Sequence, residues 1–246
     1  MKPVLEICCY SVQSLINAAK GGASRVELCA DHLIGGITPS VGKIERAVKQ
    51  HLIDVYVIIR PRGGDFLYSQ EACNIMERDI AACEHHGVKG VVLGMLNKDG
   101  SVDTERLKKL VELAYPMDVT FHRAIDMSSD LFKAIDDIYA CGIKRILTSG
   151  GYPTAIAGIE VIKKMVEYAD GRIAVMAGSG VNADNIKQLY DVGVREFHSS
   201  ASTLVPSEME YQNPNLNMGT AAIDEFSLQY VDVEKVAAMC KVIAGL

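Results

Sequence analysis

The stretch "VMAGSGVNADNI" (residues 175–186) joins an apolar run to a helix-patterned segment through three small residues, Gly178, Ser179 and Gly180. Its position along the chain decides the fold. An open doubly wound sheet carries its glycine loop as G-x-G-x-x-G after an early strand, and no such loop follows the first apolar run here. A closed (β/α)8 barrel instead places its phosphate loops after the last strands. The number of strands ahead of residue 175 therefore selects between the two.

Working outward, short β-branched runs alternate with segments of helical periodicity along the whole chain, the pattern of repeated βα units. Strands are predicted over 4–9, 25–29, 55–60, 90–93, 118–122, 145–148, 173–176 and 194–198, and helices over 12–20, 41–51, 71–86, 104–114, 131–139, 155–168, 183–191 and 233–244. Five strands follow a glycine stop, in "GGAS", "HHGVKG", "ACGIKR", "YADGRI" and "DVGVRE", where glycine suits the residue just past a helix end. "GSG" then follows the seventh strand. The expectation is one α/β domain over residues 1–246, a (β/α)8 TIM barrel. A long irregular loop over 201–231, rich in Asn, Pro and Ser, interrupts the rhythm before the final helix. Loops of that length often have a purpose, as a lid or an oligomer contact, or are plain insertions.

Bulk properties narrow the function. A chain of 246 residues with 49% hydrophobic and 23% charged residues has ordinary globular composition, and a net charge of -6 offers no basic surface for nucleic acid. Apolar runs such as "DVYVIIRP" and "GVVLGML" are too short to span a bilayer, and "MKPVLEICCY" leaves no room for a signal segment before Glu6. Seven scattered cysteines, an odd number, suit reduced thiols in the cytoplasm.

Strand parity places side chains inside the barrel. Glu6 and Cys8 share a face, as do Arg25, Glu27 and Cys29, Thr120 and His122, and Glu196 and His198. Glu6, Glu27, Arg60, His122 and His198 thus gather in the upper half, where unpaired charge is costly. They pair with one another as a structural network, or with a ligand. Glu6, Glu27 and His122 are candidate proton carriers and, with Arg60, the candidate catalytic set. Three neighbouring loops, "TSGGYPTA", "AGSGVNADNI" and "HSSAS", expose amides and hydroxyls. Ser149, Gly150, Gly151, Gly178, Ser179, Gly180, Ser199 and Ser200, with Arg62, form the candidate anion site. Any one of these loops is equally a tight turn.

Cys8 and Cys29 stand at equivalent positions on adjacent strands, each two residues after a glutamate. Strands lie about 4.8 Å apart, so two inward thiols could share a soft ion such as Cu(I); they also read as small buried hydrophobes. The histidines show no recognised zinc-ligand spacing.

"LEIC", "GASRVELCADHLIGGITPS", "IRPRGGDF", "TFHRAID", "ILTSGG" and "EFHSSA", in this order, resemble the CutC family, named for copper homeostasis, from Leu5 to about Ser200. The resemblance implies a (β/α)8 barrel, a cytoplasmic location, a homo-oligomer, and Cu(I) held by Cys8 and Cys29. Two functions stand side by side: a cytosolic copper-binding protein, and an enzyme or binding protein for a small phosphorylated or carboxylated metabolite. No lysine falls at a strand end, which disfavours Schiff-base chemistry in the second.

Overall fold

The structure, a computed structural model, describes residues 3–213, 215–216 and 224–246. Eight parallel strands close into a barrel in chain order: β1 (Val4–Cys9), β2 (Arg25–Leu28), β3 (Asp54–Ile58), β4 (Gly90–Leu93), β5 (Asp118–Phe121), β6 (Arg145–Thr148), β7 (Ala174–Ala177) and β8 (Glu196–Ser199). Helices α1 (Val12–Lys20), α2 (Val41–Val48), α3 (Gln70–His85), α4 (Thr104–Ala114), α5 (Leu131–Ala140), α6 (Ile159–Ala169), α7 (Ile186–Asp191) and α8 (Val233–Ala244) follow the strands in turn. The (β/α)8 architecture is the one the strand count implies. Several helices open on a side-chain cap: Ser11, Ser40, Ser69, Asp103, Asp130 and Asp232 each accept from an amide of the first turn.

Alternate residues of each strand pack outward under the helices. Leu5, Ile7 and Cys9 of β1, Val26 and Leu28 of β2, and Phe121 and Phe197 of β5 and β8 are buried in one continuous apolar cluster. The inward residues are unlike the branched aliphatics that usually fill such a barrel. Arg25 Nε contacts Glu6 Oε2 at 2.5 Å, Arg25 Nη2 contacts Glu196 Oε2 at 2.5 Å, and Arg145 Nε reaches Glu196 Oε2 at 2.6 Å. Both guanidinium groups also face the ring of Tyr56, 5.3 and 5.8 Å from its centroid. Tyr56 has room because its paired neighbour on the adjacent strand β4 is Gly90, where a Cβ would lie 2.3 Å from the ring. An ionic layer thus forms the middle of the barrel and the floor of everything above it.

Four sequence expectations need correction. The segment 201–231 is not irregular throughout: β9 (Ser202–Pro206) and β10 (Ser227–Val231) pair antiparallel at its base, and residues 217–223 at its centre lie outside the described residues. Helix α6 begins at Ile159 rather than 155, because Gly158 crosses Ser149 so closely that a Cβ would sit 2.0 Å from the Ser149 carbonyl oxygen. Helix α7 begins at Ile186 rather than 183; the Asn182 amide donates to Asn185 Oδ1, and the intervening residues form turns. Strand β3 ends at Ile58, so Arg60 lies just beyond it.

Removing one partner of a buried ion network leaves charge without compensation, at a cost of about 3–5 kcal/mol. Urea denaturation of Arg25→Met should show a loss of that size, against about 0.5 kcal/mol or less for Lys133→Met, whose pair with Asp137 spans one exposed helical turn. A loss below about 1 kcal/mol for Arg25→Met would mean that the ionic layer contributes little.

Candidate functional site at the barrel mouth

The C-terminal ends of the strands open into a cavity of about 250 Å³ whose walls include Cys8, Glu27, Arg60, His122, His198 and Ser200. Its floor is set by strand register. β1 is paired with β8 on one side and β2 on the other, which puts Glu6 level with both His198 and Arg25, and Cys8 level with Glu27. Cys29 is therefore not level with Cys8, as equivalent spacing suggests. The stagger of a closed barrel lifts it past the last β1–β2 pair, with its amide on the Cys9 carbonyl. The side chains still converge: the two sulfurs are 3.6 Å apart, as free thiols.

Around them the ionisation states are sharply divided. Burial opposes the charge of Glu6, but hydrogen bonding to His198 and the Arg25 guanidinium overcome it and hold the carboxyl at about 2. Burial likewise opposes charge on His198. Its hydrogen bonds to Cys8 and Glu6 and the charges of Glu27 and Glu6 prevail, keeping the imidazole protonated well above its ordinary range. His198 Nδ1 lies 2.8 Å from Glu6 Oε1, and Nε2 lies 3.6 Å from Glu27 Oε2. Cys8 is pushed well below the usual thiol range, first by the hydrogen bond from Cys29 and, against burial, by His198 and Tyr10. Cys29 goes the other way, held protonated by burial and by the Cys8 charge. Burial and the Cys8 charge also raise Glu27 to about 8, so at neutral pH it is largely a neutral acid. The site therefore pairs a thiolate with an imidazolium and flanks them with a protonated thiol and a protonated carboxyl.

Cys8, Glu27 and His198 each offer a ligand atom within 4.8 Å of the others. His198 belongs to the inward polar set that parity identifies, but its place beside Cys8 follows from β8 closing against β1, which residue spacing alone does not reveal. Tyr10, one residue past β1, completes the thiol environment and was not singled out by any motif.

The other predicted residues separate. Glu6 is wholly buried beneath the cavity and acts through its neighbours. Arg62 is exposed and folded back onto Asp65 Oδ1 at 2.7 Å and the Leu67 carbonyl at 2.6 Å; it does not line the cavity. The loop after β6 does form an anion nest, and its anion is the protein's own. Asp126 accepts from the amides of Ser149 and Gly151 and from the Ser149 and Thr148 hydroxyls, and Arg123 Nε pairs with it at 2.8 Å. The Gly150 amide is taken by Thr148 Oγ1. Ser149, Gly150 and Gly151 are thus already satisfied.

The small residues of the opening stretch divide in the same way. Gly178 is a matter of space, since a Cβ there would lie 2.5 Å from Leu147 Cδ1 and 3.5 Å from the His198 Cβ; its amide donates to the Thr148 carbonyl. Ser179 and Gly180 both have φ of +74°, a left-handed turn, and the Ser179 hydroxyl donates to the Pro153 carbonyl. Ser199 Oγ donates to the Val181 carbonyl at 2.6 Å. Only Ser179, Gly180, Ser199 and Ser200 of the eight small residues border the cavity.

Fold and site together define a (β/α)8 barrel with thiols, imidazole and carboxyl collected at its C-terminal mouth. The chain matches the CutC family over residues 3–203 and belongs to that family. It is 46% identical over 241 residues to a CutC family protein of Parabacteroides distasonis, covering 97% of this chain and 99% of the relative. It is 44% identical over 242 residues to one of Vibrio campbellii, covering 97% and 98%. Among solved structures it resembles the CutC of Streptococcus agalactiae, a protein assigned to copper homeostasis, at 37% identity and a TM-score of 0.76, over 80% of this chain and 98% of that one. No helix among the described residues is long and apolar enough to cross a membrane.

The thiolate, rather than the thiol, is the nucleophile in alkylation. Iodoacetamide labelling read by mass spectrometry at pH 6.5 should therefore modify Cys8 ahead of the other cysteines. His198→Gln should slow that labelling about tenfold. Uniform slow labelling of all seven cysteines would contradict the ionised pair.

Proposed function

We propose that this protein is a cytoplasmic copper-homeostasis protein that binds Cu(I), as cargo, at the floor of the mouth cavity through Cys8, Cys29 and His198, with Glu27 beside them. The observation that carries the reading is the convergence of two thiol sulfurs 3.6 Å apart with an imidazole at the same floor. Soft sulfur with imidazole is a donor set that favours Cu(I) over hard cations. Family membership supports the same cargo, and the homo-oligomer implied by the resemblance is part of the same proposal.

The chain's own groups explain how a monovalent ion would be accommodated. Cys8 is already ionised, while Cys29 and His198 each carry a proton that a ligand atom must give up. One cation then enters as two protons leave, so the buried charge falls by one, and affinity rises with pH because binding releases protons.

A second reading, a binding protein or enzyme for a small metabolite, is favoured by the volume of the cavity, about 250 Å³, which exceeds what one ion needs. Asp126 fills the loop after β6, so a phosphorylated ligand would draw on the loops after β7 and β8, where Ser179, Gly180, Ser199 and Ser200 border the cavity.

An anaerobic Cu(I) competition titration against a tight chelator tests the proposal. Wild type should bind stoichiometrically, with apparent affinity rising at least about tenfold per pH unit from pH 6 to 7.5, and Cys8→Ser/Cys29→Ser should lose binding while Ser179→Asp retains it. Binding that is pH-independent or survives in the double variant would reject the site.

A further inference from the structure

Arg60 carries a buried charge whose partner is missing. Its Nη1 donates to the carbonyls of Ile34 at 2.8 Å and Gly36 at 2.9 Å, and its Nη2 to that of Gly64 at 2.8 Å, all neutral acceptors. The residue is 6% exposed, and its Nε has no hydrogen-bond partner among the described residues. Tyr68 interacts with the guanidinium electrostatically and through a side-chain hydrogen bond, but as a neutral phenol it brings no compensating negative charge. No carboxylate among the described residues forms an ion pair with Arg60, although buried charges ordinarily have one.

A second donor stands on the same wall. His122 accepts the Ala124 amide at Nδ1, at 3.2 Å, which leaves the ring proton on Nε2. That atom is buried and unpartnered among the described residues. The residue is 4% exposed and lines the cavity, as Arg60 does. Gly94 makes the position possible, because a Cβ there would lie 2.6 Å from the His122 ring. The ring of Phe66 ties the two together, 5.0 Å from the His122 ring and 5.1 Å from the Arg60 guanidinium carbon. Burial and the Arg60 charge hold His122 down at about 3, so it stays a neutral donor.

The number and kind of these donors select the ligand. One positive charge and two single N–H groups match a planar monoanion with two oxygens; they are too few for phosphate, which favours clustered amides of the kind Asp126 already occupies. Ile58, Phe66 and Leu147 supply apolar wall for a hydrocarbon body.

We propose that the Arg60–His122 wall of the mouth cavity is a binding subsite for the carboxylate of a small organic acid, with one oxygen accepting from Arg60 Nε, the other from His122 Nε2, and the body of the acid lying toward Cys8. The subsite uses none of the Cu(I) ligands named above and stands or falls separately from them.

The test is isothermal titration of the whole protein at pH 7 with pyruvate, butanoate and benzoate, each beside its uncharged amide, and with inorganic phosphate. At least one acid should bind at a single site, with its amide and phosphate at least about tenfold weaker, as expected where a charged hydrogen bond is lost. His122→Phe should weaken that acid about tenfold. Lys133→Met, on an exposed helical turn away from the cavity, should leave it within twofold. Equal binding of acid and amide, saturation by none of the acids, or undiminished binding in a folded His122→Phe would each overturn the subsite. Should His122→Phe fail to fold, the comparison of acid with amide on wild type still decides.

Discussion

Glu6 is a carboxylate sealed from water that gives one oxygen to Arg25 and the other to His198. Those two cations come from opposite sides of β1, one from β2 and one from β8, and with the strands in chain order it is closure of the barrel that brings β8 beside β1. The barrel is thus more than a scaffold for the site, because closing it creates the ion pair from which the other charges follow. With Cys8 hydrogen-bonded to it and Glu6 ionised beside it, His198 keeps its second proton; with Cys29 hydrogen-bonded to it and an imidazolium beside it, Cys8 gives up its own. Glu27 and Cys29, next in line, face a negative neighbour and remain neutral. The buried carboxylate and the Cys8–Cys29 hydrogen bond together sort four titratable side chains into two charged and two uncharged partners.

The same accounting separates the walls of the cavity. On the side of β6, the amides of Ser149, Gly150 and Gly151 that could cradle an anion are occupied by Asp126 and the Thr148 hydroxyl, which leaves that loop internally satisfied. On the side of β3 and β5, Arg60 and His122 retain unused donors in a buried setting. A thiolate floor, a satisfied wall and an unsatisfied wall make a cavity with a direction, and a direction is what a site for a specific small ligand or ion requires.

Much of this is legible in the chain. Strand and helix positions follow from periodicity and glycine stops, and β1, β4, β6, α1, α4 and α8 fall where the pattern puts them. Parity alone brings Glu6, Cys8, Glu27, Cys29 and His122 into one interior. What sequence does not carry is register. Cys8 and Cys29 look level by spacing, yet the stagger offsets them, and the value of His198 depends on which strand lies beside β8. Arg60 and Arg62 are two residues apart and look alike, but one is drawn inward by three carbonyls and the other folds onto Asp65. The small residues mislead for a different reason. A glycine making room for Leu147, as Gly178 does, reads the same as one cradling a phosphate, and the acid that fills the loop after β6 comes from the loop after β5.

The measurement that bears most directly on the account is the protonation state of the His198 ring in the metal-free protein, read from its ¹⁵N chemical shifts at pH 7.5. The chain of charges from Glu6 through His198 to Cys8 predicts an imidazolium with both nitrogens protonated, reverting toward a neutral ring in Cys8→Ser. A neutral His198 in wild type, titrating near the ordinary value of about 6.5, would contradict it.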